Sequence, residues 1–228
     1  MTADDQKRVA GEAAAALVQP GMTVGLGTGT TAAWLVRALA ERKLERIRGV
    51  ATSKATAALA TSLGIEVVDL DAVGMIDLTI DGADEIGPGL SLIKGGGAAL
   101  LREKLVWEAS RRCLVIADAG KRVRRLGAFP LPIEVVAFGH KKTALRIGDA
   151  LSDCDIGAAP QLRVRDGTPV TTDSGNLIYD AACGVIPDPT QLADALKSVT
   201  GVVDHGLFLD LADEALIGGE AGVEHLAP

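Results

Sequence analysis

The chain has 228 residues, 48% of them hydrophobic and 23% charged, with a formal net charge of −7. This composition excludes disorder and supplies ample apolar surface for a packed core. The acidic balance argues against a nucleic-acid partner, because neutralising phosphates requires a basic face. No apolar run approaches the ~18 residues of a membrane span, and residues 1–7 are polar and acidic, unlike a secretion signal, so a soluble cytoplasmic protein with no membrane partner is expected. Cys113, Cys154 and Cys183 are odd in number and far apart, which suits a reducing compartment and suggests neither a disulfide framework nor a zinc site. His140, His205 and His225 are scattered, so no metal is expected. With aromatics at only 3%, the core must be built from Ala, Val, Leu and Ile, as in a parallel sheet with helices on both faces.

Residues 4–18 carry Val9, Ala13, Ala14, Ala16 and Leu17 at helical spacing, and Gln19-Pro20-Gly21 ends the run. Residues 23–26 form a strand that enters Gly27-Thr28-Gly29-Thr30-Thr31, and residues 32–44 are helical. A strand at 50–53, a helix at 54–63 and a strand at 65–70 follow, and the alternation implies parallel strands with right-handed crossovers. Residues 76–80 read as a strand that delivers Asp81-Gly82-Ala83-Asp84-Glu85 to its carboxyl end. Lys94-Gly95-Gly96-Gly97 then leads into a helix over 98–111, and 113–117 is an uninterrupted apolar strand. Phe129-Pro130-Leu131-Pro132 marks a boundary, since two prolines flanking one residue interrupt regular structure. Beyond it the pattern is strand (133–138), helix (142–151), strand (161–164), a strand pair about Ser174-Gly175, and helix (190–199), the split arrangement of a small α+β domain. A short strand at 206–209 and a segment at 212–217 close the chain.

The chemistry concentrates at carboxyl ends of strands, where open α/β sheets place their ligands. Gly27, Gly29 and Ala32 satisfy a dinucleotide fingerprint, yet the acid expected about 20 residues later is replaced by Thr52-Ser53-Lys54. Ser53 and Lys54 leave an NADP phosphate open, but the hydroxyls of Thr28, Thr30 and Thr31 better suit a single phosphate or sugar hydroxyls. Asp81 and Asp84 are three apart, so a tight turn would bring both to one side with Glu85 pointing elsewhere; two close carboxylates raise each other's pKa. A solvated acidic turn is the plainer alternative. Three adjacent glycines are tolerated chiefly where backbone must approach something closely, and Lys94 favours an anion, either a phosphate or a developing oxyanion. Glu103 has apolar neighbours three and four residues away, namely Ala99, Leu100, Val106 and Trp107. Desolvation there would push it toward the range of a general base. Lys121 follows the 113–117 strand and can reach the same ligand. The remaining basic residues to Arg125 read as a solvated face.

These motifs resemble ribose-5-phosphate isomerase of the A type. The resemblance runs through Val24-Gly25-Leu26-Gly27-Thr28-Gly29-Thr30-Thr31, Thr52-Ser53, the Asp81–Glu85 and Lys94–Ala99 runs, Arg102-Glu103-Lys104 and 129–135. It implies a Rossmann-like domain of residues 1–130 with 206–228 and a small ferredoxin-like α+β domain of residues 131–205, assembled as homodimers or homotetramers. It implies Glu103 as general base, with Asp81, Asp84 and Lys94 as its catalytic companions. The substrate contacts it implies fall on Thr28, Gly29, Thr30, Thr31, Gly82, Ala83, Gly95, Gly96, Gly97, Lys121 and Lys7. The expected partner is a sugar phosphate, D-ribose 5-phosphate becoming D-ribulose 5-phosphate through a cis-enediolate, with no cofactor and no metal. A sugar-phosphate-binding regulator lacks support in the absence of a basic helix-turn-helix. An NADP-linked dehydrogenase and an acyl-CoA transferase are the enzyme rivals.

Overall fold

The computed structural model describes residues 1–228, which divide into two compact units. Met1–Ala83, Arg102–Arg122 and Asp210–Pro228 form the first, and Asp84–Leu101 with Val123–Leu209 form the second.

The first unit is a seven-stranded sheet. Its spatial order is Gly222–Leu226, Glu214–Gly219, Cys113–Asp118, Leu78–Gly82, Thr23–Leu26, Arg48–Ala51 and Glu66–Val67. Every neighbouring pair is parallel except the terminal hairpin of Glu214–Gly219 with Gly222–Leu226. The expected doubly wound α/β class is present. The chain leaves Thr23–Leu26 in one direction and returns on its other side as Leu78–Gly82, so the strand order reverses between these two. Their carboxyl ends open the crevice in which such sheets bind ligands. Short aliphatic residues build the core: Val24, Leu26, Leu35, Leu39, Leu78, Ile80, Leu114 and Ile116 are buried together with Ala10, Ala14 and Ala15 of the helix Ala3–Ala16.

The second unit contains a four-stranded antiparallel sheet in the order Val202–His205, Leu131–Val135, Leu177–Ala181 and Gln161–Leu162, with helices His140–Asp153 and Pro189–Lys197. Taken along the chain, this is the expected split α+β pattern. Pro132 lies inside a strand, at the end where the ladder to Val202–His205 has already stopped at Ile133, which is a position that tolerates a missing N–H. A second, three-stranded sheet joins Glu85–Ile86, Leu92–Ile93 and Leu207–Phe208. The segments 84–101, 123–130 and 206–209, which the sequence reading grouped with the larger domain, therefore cluster with the second unit. The physical reason is visible at Glu85: its buried carboxylate accepts the N–H groups of Gly127 at 2.7 Å and Phe129 at 2.6 Å. Ile93, Leu126 and Leu207 share the core of Ile133, Leu151 and Leu192.

Element ends shift in expected ways. The helix at 98–111 is observed as Leu100–Glu108 because Ala98 takes a left-handed φ of 57°. The strand at 65–70 shrinks to Glu66–Val67 because the Asp69 side chain caps a 3-10 turn at Leu70–Ala72. The hairpin strand Gly222–Leu226 was not anticipated, since Gly218-Gly219 reads as a terminus and instead continues the strand. No helix is long and apolar enough to cross a membrane.

Glu85→Ala would leave two buried N–H groups without an acceptor, at about 1–3 kcal/mol for each. Urea unfolding should show a loss of about 2–5 kcal/mol; an unchanged midpoint would contradict the assigned role.

Candidate active site

At the carboxyl edge of the first unit's sheet, Asp81 is wholly buried. Its Oδ1 accepts the N–H of Thr28 at 3.0 Å and of Gly82 at 2.7 Å. A buried carboxylate must be hydrogen-bonded, and here the donor is the glycine loop itself. The fit demands glycine at position 27, where an added Cβ would sit 2.1 Å from Asp81 Oδ1. Behind the loop, Thr52 Oγ1 donates to the Leu26 carbonyl at 3.1 Å and lies 2.7 Å from Thr28 Oγ1, so the Thr28 hydroxyl donates to Thr52. Thr56 Oγ1 donates to the Gly27 carbonyl at 2.9 Å, and Ser53 Oγ donates to Thr56 Oγ1 at 3.0 Å. The Ser53 hydroxyl considered for an NADP phosphate is thus committed to bracing the loop.

Helix Thr30–Arg42 starts after Gly29 with no side-chain cap and no acidic residue in its first turn. Its leading N–H groups and the positive end of its dipole suit an anion. Lys7 Nζ donates to Thr30 Oγ1 at 3.2 Å. Gln6 accepts the Ala119 N–H at 3.1 Å, which joins the helix bearing Lys7 to the turn Ala119–Lys121. Lys7, Lys121 and the Thr28–Thr31 loop therefore gather at one edge of the first unit. Gly82 faces the same loop: a Cβ there would lie 3.9 Å from Thr31 Cβ. Ala83 is half-buried beside it. Of the basic run, Arg122 pairs with Glu224 at 3.0 Å on the exposed surface, as a solvated face would.

In the second unit, Asp84 Oδ2 accepts the Gly96 N–H at 2.8 Å, and a Cβ at Gly96 would meet Asp84 Oδ1 at 2.7 Å. Gly95 has a φ of 105°, open to glycine alone at low cost, while Gly97 is exposed. The close approach inferred from three glycines is therefore partly to the protein's own Asp84. Asp81 and Asp84 are each held by backbone N–H groups of different loops, and Glu85 braces Gly127 and Phe129; none of the three sits in a solvated turn. Lys94 is only 2% exposed, its backbone N–H donates to the Gly206 carbonyl at 2.8 Å, and its Nζ lies 5.3 Å from the Phe208 ring centroid.

Glu103 is 3% exposed and stands in the first turn of helix Leu100–Glu108. Its burial accords with its apolar neighbours in sequence. Four contributors escaped sequence reading: Thr52 and Thr56 as braces, Phe208 beside Lys94, and Arg163, whose guanidinium reaches the carbonyls of Gly95 and Gly96. Only Thr52 carried a signal, as the tip of the second strand.

A family model described as Ribose 5-phosphate isomerase A (phosphoriboisomerase A) matches residues 48–222. The chain belongs to this family. It is 69% identical to the ribose-5-phosphate isomerase A of Caulobacter vibrioides, over 100% of both chains. It is also similar to the crystal structure of ribose 5 phosphate isomerase A from Neisseria gonorrhoeae, with a TM-score of 0.91 and 37% identity over 100% of this chain and 98% of that one. A D-ribose-5-phosphate isomerase in complex with phospho-erythronic acid superimposes with a TM-score of 0.92 at 36% identity, covering 100% of each.

The thiols of this isomerase A chain are poor nucleophiles at neutral pH: burial pushes Cys113 up to about 12 and Cys183 up to about 11. Gly27→Ala should drive the loop off Asp81 and lower kcat/KM for ribose 5-phosphate by about 100-fold, as expected for an ångström-scale misplacement. Steady-state kinetics within threefold of the parent would show that the Gly27 to Asp81 approach does not matter.

Proposed function

We propose that this chain interconverts D-ribose 5-phosphate and D-ribulose 5-phosphate, an aldose–ketose isomerisation of the non-oxidative pentose phosphate pathway, with Glu103 moving the proton. The observation that carries the assignment of Glu103 is a carboxylate 3% exposed in the first turn of the helix that follows the Lys94–Gly97 turn. Desolvation makes such a group a stronger base toward carbon acids than one in water.

The substrate's ring opens first. Asp81 or Asp84 takes the proton of the anomeric hydroxyl and returns one to the ring oxygen, giving the free aldehyde. Glu103 then removes the proton from C2. The electron pair of that C–H bond forms the C1–C2 double bond, and the aldehyde π pair moves onto O1 as an enediolate. Lys94 and the N–H groups of the turn other than that of Gly96, which Asp84 holds, offset this charge, which exists only at and near the transition state. Protonation at C1 by the Glu103 carboxylic acid and transfer of the O2 proton to O1 leave a ketone at C2. Each proton leaves its bonding pair in the substrate and another proton is returned, so the overall reaction neither gains nor loses electrons and calls for no redox cofactor.

The phosphate is held far from these carbons by Lys7, Lys121 and the Thr28–Thr31 loop with its uncapped helix, which supplies positioning. The phospho-erythronic acid bound by the structural relative, itself a phosphorylated sugar acid, supports a sugar phosphate as ligand. The net charge of −7 supports no nucleic-acid partner. The working form is a cytoplasmic homodimer or homotetramer, and the exposure of Phe138 (95%) and Leu145 (64%) supports a further covered face.

Glu103→Gln keeps the side chain's shape and removes the base. With unchanged circular dichroism and unfolding midpoint, kcat should fall by about 10²–10⁴-fold. A near-native rate would mean that another group takes the C2 proton.

A further inference from the structure

The Gly95–Gly97 turn is held from behind by a residue with no assigned part in the chemistry. Arg163 follows the strand Gln161–Leu162, and its backbone N–H donates to the Ile178 carbonyl of the adjoining strand at 2.8 Å. Its guanidinium closes a fork on one carboxylate: Nε donates to Asp180 Oδ2 at 2.8 Å and Nη2 to Oδ1 at 2.5 Å. The remaining nitrogen, Nη1, donates to the carbonyls of Gly95 at 2.9 Å and Gly96 at 3.2 Å. The pair is well shielded, with side-chain exposures of 14% for Arg163 and 25% for Asp180.

The consequence follows from peptide geometry. The chain has no cis peptide bonds, and in a trans peptide the N–H points opposite to the C=O of the preceding residue. Turning the Gly95 carbonyl toward Arg163 sends the Gly96 N–H the other way, and it is found on Asp84 at 2.8 Å. Turning the Gly96 carbonyl toward the same cation likewise sends the Gly97 N–H away from Arg163. Three consecutive glycines would otherwise sample many orientations, and the left-handed φ values of Gly95 (105°) and Ala98 (57°) are ones that surrounding structure must impose. A cation on both carbonyls also polarises the two peptides and strengthens their N–H groups as donors.

We propose that Arg163, oriented by Asp180, is a positioning residue for the isomerisation: it sets the peptide planes of the glycine turn so that Lys94 and the turn's N–H groups meet the enediolate. This rests on the role given above to Lys94 and the turn. Arginine is required because one planar group must serve a carboxylate fork and two carbonyls at once, which a lysine ammonium cannot do.

The test is a set of variants of the full chain: Arg163→Met, Arg163→Lys, Asp180→Asn and, for reference, Lys94→Met. Each is measured for kcat and KM with ribose 5-phosphate, inhibition by phospho-erythronic acid, and thermal unfolding. That acid's planar carboxylate carries charge where the enediolate does, so its inhibition constant reads the aim of the turn. Arg163→Met should lower kcat by about 10–100-fold and weaken inhibition by a similar factor, with KM within about threefold. Arg163→Lys should recover the parent's unfolding midpoint and leave kcat at least about fivefold down. Should Arg163→Met fail to fold, Arg163→Lys and Asp180→Asn decide, the latter also expected about fivefold or more down in kcat. Folded Arg163 variants with kcat and inhibition constant within twofold of the parent overturn the proposal, and so does a loss confined to KM. If Lys94→Met itself keeps its kcat, the reading of Lys94 fails; if Lys94→Met loses turnover and the Arg163 variants do not, only Arg163's role fails.

Discussion

A wholly buried aspartate at the end of a strand is costly unless it is hydrogen-bonded, and Asp81 Oδ1 draws one of its hydrogen bonds from the backbone of the loop it must organise. The Thr28 N–H can reach it only if the loop passes directly over the strand, and the loop can pass there only without a side chain at position 27. This one contact fixes the path from Thr23–Leu26 into helix Thr30–Arg42, and with it the uncapped helix start beside Lys7. Thr52 and Thr56 brace the same loop from the neighbouring strand and helix. The sheet's reversal point creates a crevice; the buried carboxylate gives it a rigid edge.

The second unit solves a similar problem with different means. A glycine turn offers backbone donors but little rigidity, so the hold comes from side chains around it. Asp84 takes one N–H, Arg163 takes two carbonyls, and Phe208 lies near the ammonium of Lys94. Residues outside the motifs thus hold the motif residues in place, the arrangement that preorganised electrostatic catalysis requires.

Much of this was legible from residue patterns, for physical reasons that can be named. Residues 113–117 are apolar throughout because the strand Cys113–Asp118 is buried on both faces, and helix Thr30–Arg42 has a periodic apolar stripe of Ala32, Leu35, Val36 and Leu39. Glu103 drew notice because its neighbours three and four residues away are apolar, and the structure buries it. Short edge elements such as Glu66–Val67 were blurred, since two residues carry no period. The grouping of 84–101 with the second unit was hidden because it depends on Glu85 reaching Gly127 and Phe129, more than forty positions away. Arg163 and Asp180 were equally hidden: their pairing comes from sheet register, and neither residue is unusual in its local sequence.

The central claim is that a protein carboxylate removes a carbon-bound proton. Proton NMR of ribose 5-phosphate incubated with the full chain in deuterated water, with a chelator and no added cofactor, tests this most directly. Exchange of the Glu103 carboxylic proton with solvent during the life of the enediolate should place deuterium at C2 of the aldose and C1 of the ketose as the sugars interconvert. Interconversion with no solvent deuterium at either carbon, even after many turnovers, would contradict the role of Glu103.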